Sequence, residues 1–201
     1  MPAFANPPPD CPRCPRLAAF RQANRAALPE FHNAPVAAFG GLDARLLVVG
    51  LAPGLRGANR TGRPFTGDYA GDLLYATLLN GSLAADGDSV RITNAVRCVP
   101  PENKPETGEI RECNAFLQTE LAALPNLRAV LSLGAISHSA VLTALGLRKS
   151  ALPFRHGAQH ALPGGLVLAD SYHCSRYNTN TGRLTTAMFE AVVEALRPLV
   201  A

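Results

Sequence analysis

The stretch RLLVVGLAPGLRGANRTGRPFTGD, residues 45–68, joins a short apolar segment to a long loop rich in glycine and arginine. Its first part, RLLVVG, has the continuous aliphatic character of a strand that is buried on both faces, as parallel strands are. The loop that follows contains no acidic residue before Asp68. Because glycine lets a backbone approach another group closely, we expect a parallel strand that ends at a ligand site.

Three more segments have the same character as the first strand: VRITN at 90–94, AVLSLG at 129–134 and LVLAD at 166–170. Residues 110–124, 135–145 and 185–196 repeat apolar side chains at helical spacing. The alternation of strands and helices predicts a three-layer α/β domain with a mainly parallel sheet. Ligands of such sheets bind outside the carboxyl ends of the strands, so the loops after the four strands are the candidate site.

The size and charge of the chain limit its organisation and partners. A length of 201 residues predicts one domain, which we place at 11–201 after a flexible proline-rich tail at 1–10. The net charge is +4, and all but two of the 19 basic residues are arginine. Arginine suits phosphate recognition, although a GC-rich genome would give the same bias. Nucleic acid is therefore one candidate partner.

The sequence predicts no association with a membrane. No apolar run reaches the roughly 18 residues that span a bilayer, and the N-terminus lacks the features of a signal peptide. We expect a cytoplasmic protein whose cysteines are reduced unless they bind metal.

Four of the five cysteines have a spacing that suits a metal centre. Cys11 and Cys14 form a C-x2-C pair, and Cys98 and Cys113 are the two distant candidates. Four thiolates bind either zinc or an iron-sulfur cluster, and the spacing leaves both metals open. Four separate core cysteines are the alternative. We expect Cys174 to be a packing residue.

Several motifs together resemble family 5, or type B, of the uracil-DNA glycosylase superfamily. They are GLAPGLRGANRTGRPFTGD, TNAVRCVPPENKP, LRKSALPFRHG, SYHCSRYNTNTGRLT and the four cysteines, in the family's order from Cys11 to about Leu184. The resemblance implies an α/β/α sandwich around a four-stranded parallel sheet and excision of deaminated bases from DNA. It also implies a 4Fe-4S cluster on Cys11, Cys14, Cys98 and Cys113.

The resemblance assigns one set of residues to a pocket for a base that has been flipped out of the DNA. Gly50 and Ala52 would form its wall, and the base would stack on Phe65. Asn94 would read the base edge and would favour uracil over hypoxanthine, because related families place an asparagine four residues before the cluster cysteine. A tight turn at Gly50 and a core position for Phe65 are the structural alternatives.

The resemblance assigns catalysis to Asp68, His173 and Asn103. Most other families of the superfamily have a polar residue where this chain has Ala52, so we expect Asp68 to orient the water or stabilise the sugar cation. Asn103 would help to position the water, and His173 would donate a hydrogen bond to the base O2. The structural alternatives are a helix N-cap for Asp68 and a turn for Asn103.

The polar loop after the fourth strand is the expected DNA contact. Arg176 or Tyr177 would fill the gap that the flipped base leaves. The residues assigned to DNA binding are Ser175, Arg176, Asn178 and Thr179.

We thus expect a monomeric, monofunctional glycosylase that leaves an abasic site, because the motifs offer no lysine for a Schiff base. Its substrates would be uracil and other deaminated or damaged bases, such as hypoxanthine, xanthine and modified pyrimidines. The first alternative is a non-catalytic iron-sulfur module that binds nucleic acid. The second is an enzyme acting on a small phosphate ester, although the loop lacks the P-loop pattern.

Overall fold

The structure, a computed structural model, describes residues 4–81, 83 and 89–200. The strands are β1 Leu46–Gly50, β2 Val90–Asn94, β3 Ala129–Leu133, β4 Gln159–Ala161 and β5 Val167–Ser171. The helices are α1 Pro15–Ala27, α2 Ala58–Thr61, α3 Tyr69–Asn80, α4 Thr107–Ala122, α5 Ala135–Ala144, α6 Arg176–Asn180 and α7 Thr186–Val200.

The strands form one sheet in the order β2-β1-β3-β5-β4. Strands β2, β1, β3 and β5 are parallel, and β4 pairs antiparallel with β5. The predicted α/β class with a mainly parallel sheet is therefore confirmed, with one edge strand added to the expected four. Strand β4 gives little signal in the sequence, because it has only three residues and none of them is buried.

Strand β1 shows how the three layers form. Leu46 and Val48 lie in the core on the side of α3 and α7, whereas Leu47 and Val49 lie in the core on the side of α4 and α5. Every residue of β1 is buried. This double burial explains the uninterrupted apolar sequence, and it makes β1 a fixed support for the loop that follows Gly50.

The N-terminal segment lies against the rest of the domain. Helix α1 begins with Pro15, whose missing N–H is tolerated in the first turn. In the predicted tail, Asp10 forms an ion pair with Arg25 at 2.6 Å, and Asn6 Oδ1 accepts a hydrogen bond from the backbone N–H of Ala38. No helix in the described part of the chain is long and apolar enough to cross a membrane.

Candidate active site and cysteine cavity

A pocket lies where the loops after β1, β2 and β5 meet, at the carboxyl ends of the parallel strands. This is the edge at which an α/β sheet binds its ligands. The pocket brings together residues that are far apart in the sequence, and its lining consists of Ala52, Pro53, Gly54, Ala58, Phe65, Asp68, Ala70, Asn94 and His173.

Gly50 allows two pocket residues to approach the end of β1. A Cβ atom at Gly50 would collide with Asn94 Oδ1 and with the ring of Phe65. Asn94 is buried, and its Oδ1 has no hydrogen-bond partner among the described residues. A buried acceptor without a partner costs about 1–3 kcal/mol, so the pocket offers a ligand one hydrogen bond that the protein leaves unmade.

Phe65 forms a wall of the pocket from an unusual backbone conformation. Its φ is +54°, in the left-handed region that bulky residues seldom adopt. Its ring stacks on that of His173, with 5.9 Å between the ring centres and 29° between the planes. Helix α3 packs tightly under this turn, because a Cβ at Gly71 would collide with the carbonyl oxygen of Phe65.

The carboxylate of Asp68 has two different surroundings. Oδ1 accepts a hydrogen bond from the backbone N–H of Gly71 at 3.0 Å, which makes Asp68 the N-cap of α3. Oδ2 lies over Gly54 and Gly57, and a Cβ at Gly57 would collide with it. Asp68 therefore has both the capping role and a place in the pocket.

Burial favours the neutral form of the His173 imidazole. Burial lowers the pKa of His173 below its ordinary value of 6.5, and the negative charge of Asp68 only partly opposes this effect. The Asn178 side-chain amide donates a hydrogen bond to the backbone carbonyl of His173 at 2.8 Å and thereby holds the loop. A neutral ring with an N–H can act as a hydrogen-bond donor without adding a proton to the base.

Among the residues predicted to bind DNA, some build the loop and others point outwards. Ser175 Oγ accepts a hydrogen bond from the backbone N–H of Asn178, and the Thr179 hydroxyl donates to the backbone carbonyl of Ser175. Arg176 is exposed and lies 5.2 Å from the ring centre of Tyr69. Tyr177 is 73% exposed. Their contact with DNA stays a prediction.

Asn103 is not part of the pocket lining. It is exposed, and it adopts a φ of +57° in the turn Pro101–Asn103. This geometry agrees with the turn role that we gave as its alternative. Its part in positioning a water molecule stays a prediction.

The four candidate metal ligands come together in a second cavity, lined by Cys11, Cys14, Cys98 and Cys113. None forms a disulfide. Burial raises the pKa of Cys98 to about 12 and that of Cys14 to about 11, and the neighbouring sulfurs add to both shifts. A positively charged metal would displace these protons, because thiolates rather than thiols are the ligands.

Cys174 lies apart from the cysteine cavity. It is fully buried, and its thiol donates a hydrogen bond to the backbone carbonyl of Ala70 at 3.3 Å. It is also absent from the lining of that cavity. These contacts agree with the expected packing role.

A buried charge network, not predicted from the sequence, lies beside the cysteine cavity. Glu120 accepts hydrogen bonds from Arg91 Nε at 2.6 Å and from Arg97 Nη2 at 2.5 Å, and all three side chains are buried. In the sequence, this network is indicated by Glu120, which falls within the apolar stripe of α4 beside Leu121.

A second missed network surrounds Asp170 on β5. His138 Nδ1 lies 2.7 Å from Asp170 Oδ1, His160 Nε2 lies 3.1 Å from Oδ2, and the Ser132 hydroxyl donates to Oδ1. The other ring nitrogen of His138 lies 2.8 Å from the carbonyl oxygen of Leu152. These contacts give His138 and His160 structural roles.

Comparisons with known proteins give matches that cover most of the chain. A sequence model of the uracil DNA glycosylase superfamily matches residues 37–197. A type-5 uracil-DNA glycosylase of Thermus thermophilus is 49% identical over 203 residues, which cover 93% of each chain. A type-5 enzyme of Pyrobaculum aerophilum is 41% identical and covers 96% of this chain and 89% of its own. A type-4 uracil-DNA glycosylase of Sulfurisphaera tokodaii is 28% identical, covering 82% of this chain and 76% of its own.

Proposed function

The chain belongs to the uracil DNA glycosylase superfamily, and we propose that it is a type-5 uracil-DNA glycosylase of base excision repair. It hydrolyses the N-glycosidic bond of uracil in DNA and leaves an abasic site. The observation that supports this function most strongly is the single pocket that unites Phe65, Asp68, Asn94 and His173.

The pocket has the groups that a flipped uracil needs. Phe65 offers an aromatic face, and stacking of a base on such a ring contributes about 1–3 kcal/mol. The unpartnered Oδ1 of Asn94 can accept a hydrogen bond from uracil N3–H, while the amide nitrogen can donate to O4. This pairing favours uracil, and hypoxanthine, xanthine and modified pyrimidines are secondary substrates.

The reaction divides between the two sides of the breaking bond. As the bond between C1′ and the base nitrogen breaks, the sugar becomes cationic and the base anionic. The Asp68 carboxylate stabilises the sugar cation and orients the water. The water oxygen bonds to C1′, and the proton that it loses passes to the carboxylate and then neutralises the base anion. His173 donates a hydrogen bond to the base O2. Ala52 has no polar group for either task, so the carboxylate comes from the end of the loop instead.

The exposed face beside the pocket is the proposed DNA contact. The chain has a net charge of +4, and Arg176 and Tyr177 project from α6 next to the His173 loop. We propose that one of these two side chains fills the gap left by the flipped base. Ser175, Asn178 and Thr179 hold α6 in position for this contact. All of the pocket residues come from one chain, and we propose that the active form is a monomer.

We further propose that Cys11, Cys14, Cys98 and Cys113 hold a 4Fe-4S cluster. Four sulfurs that bind one zinc ion at about 2.3 Å would lie about 3.8 Å apart. Among the described residues, no three cysteine sulfurs lie within 4.8 Å of one another. This wider spacing supports a larger group. When bound, the cluster supplies cross-links between the N-terminal segment, the loop after β2 and helix α4.

The function is tested with duplex DNA that contains one uracil opposite guanine. We expect abasic sites that alkali cleaves, and intact strands without alkali. No alkali-sensitive product from the iron-loaded protein would contradict the glycosylase activity, and DNA binding without product would favour the non-catalytic module.

The proposed cluster has its own test. We expect a brown protein that absorbs near ~400 nm and contains about four iron atoms per chain, as a 4Fe-4S centre does. A colourless protein with one zinc per chain would contradict the cluster.

A further inference from the structure

Arg21 is a buried cation beside the cysteine cavity. Its side chain is 4% exposed, and its Nη1 lies 3.7 Å from Cys98 Sγ. Nη2 donates a hydrogen bond to the backbone carbonyl of Cys11 at 3.0 Å, whereas Nε is buried without a partner among the described residues. Arg21 therefore contacts two of the four candidate ligands. In the described part of the chain it forms no ion pair with an acidic side chain.

Arg97 is a second cation at the same cavity. It is 1% exposed and lines the cavity together with Arg21. Its Nη2 pairs with Glu120, but Nε and Nη1 are buried without partners in the described part of the chain. Its backbone N–H donates a hydrogen bond to Cys113 Sγ at 3.3 Å.

The charges of this buried group do not cancel. Glu120 is shared between Arg91 and Arg97, so one carboxylate faces two guanidinium groups. Among the described residues, the lining of the cavity includes Arg13, Arg21 and Arg97 and no acidic side chain, although Glu109 and Glu112 raise the pKa of Cys14 from nearby. Burial of unpaired charge and of unused N–H donors is strongly unfavourable. The cavity therefore suits an occupant that is anionic and accepts hydrogen bonds.

We propose that Arg21 and Arg97 are the counterions of the group bound by the four cysteines, and that their free N–H groups donate hydrogen bonds to its sulfur atoms. This inference rests on the proposed cluster. Four thiolates around a 4Fe-4S core of charge 2+ give a net charge of 2−, so the bound group would be an anion that faces the cationic lining. Hydrogen bonds to sulfur and nearby charge are the main controls of cluster potential, so the two arginines raise the potential and retain the cluster.

The test measures the reduction potential and iron content of the purified holoprotein with Arg21→Gln and Arg21→Lys. Removing one buried charge should shift the equilibrium for one-electron reduction by about tenfold or more towards the oxidised form. This shift lowers the reduction potential by about 59 mV or more. Arg21→Lys keeps the charge and should restore most of the potential. Arg25→Gln is the matched control, because Arg25 lies one turn along α1 and pairs with the exposed Asp10.

Two further variants separate charge from packing. Arg97→Gln should lower the potential as Arg21→Gln does, whereas Glu120→Gln should raise it, because that change removes the negative charge. A purely structural network would destabilise the fold in all of these variants and would give no opposite shifts in potential.

The outcomes separate this inference from the proposed cofactor. If Arg21→Gln loses its iron while Arg21→Lys keeps it, the charge role is supported, and equal loss in both overturns it. A fully loaded Arg21→Gln with the wild-type potential also overturns it and leaves the cluster in place. A wild-type protein without iron overturns the cluster, and this inference with it.

Discussion

Asp68 Oδ1 accepts a hydrogen bond from the backbone N–H of Gly71 at 3.0 Å, while Oδ2 of the same carboxylate lies over Gly57. The cap fixes the side chain, because the first turn of α3 holds one oxygen in place. The second oxygen then has a defined position in the lining of the pocket. A structural contact thus orients the proposed catalytic group.

The capping role gives a prediction about stability. Asp68→Ala should lower the free energy of unfolding by about 1 kcal/mol, because an N-cap acceptor is lost. Asp68→Asn keeps an acceptor and should stay close to wild type. Urea unfolding of the three proteins measures the difference. Equal stability of Asp68→Ala and wild type would contradict the cap.

Gly57 should be required for activity although it has no functional group. In Gly57→Ala the new Cβ would collide with Asp68 Oδ2 and displace the carboxylate, so we expect a loss of about 100-fold in excision rate. The matched control is Gly108→Ala in α4, where a Cβ meets nothing within 4 Å. This control should keep full activity. A fully active Gly57→Ala would contradict the proposed position of the carboxylate.

Asn94 should determine the choice of base. Asn94→Ala removes both hydrogen bonds to the uracil edge, so uracil excision should fall by about 10- to 100-fold. Excision of hypoxanthine should fall less, because its O6 and N1–H lie farther from the sugar than uracil O4 and N3–H and would not meet the amide at the same position. Single-turnover rates on the two substrates give the ratio. An equal loss on both substrates would show that Asn94 supports the pocket without reading the base.

The pair of His138 and Asp170 should make stability depend on pH. Burial alone lowers the pKa of His138, but the hydrogen bond and charge of Asp170 outweigh burial and raise that pKa above 6.5. The stabilisation is thus complete below the unfolded pKa and is lost as pH rises through the folded pKa.

Urea unfolding between pH 6 and 9 tests this dependence. We expect the free energy of unfolding to fall with rising pH in the wild type and to show a flatter profile in His138→Gln. His160 also contacts Asp170, so His160→Gln shows how much of the pH dependence comes from each of the two histidines. A wild-type slope that persists in His138→Gln would contradict the assignment.

The sequence allowed prediction of the features that local patterns determine. Strands β1, β2, β3 and β5 were predicted to within one residue, because burial on both faces leaves a continuous apolar run. The sequence supported both a structural and a functional role for Asp68. A helix cap and a pocket carboxylate can each be supplied by an aspartate that stands just before a helix. Strand β4 has no such pattern, because its formation depends on pairing with β5 and not on an apolar run of its own.

The missed features depend on contacts between distant segments. Arg21 lies beside Cys98, 77 positions away in the chain, and no local pattern indicates that approach. The same is true of His138 and Asp170, which lie 32 positions apart. The sequence shows which residue types occupy these sites, but it does not show which distant residues they contact.

The most direct measurement is the single-turnover rate of Asp68→Asn on uracil-containing duplex DNA under saturating enzyme. This variant keeps the shape and the cap of the side chain but removes the negative charge. We expect unchanged DNA binding and a chemical step at least about 100-fold slower than in wild type. A rate within about threefold of wild type would contradict the assignment of Asp68 as the catalytic carboxylate.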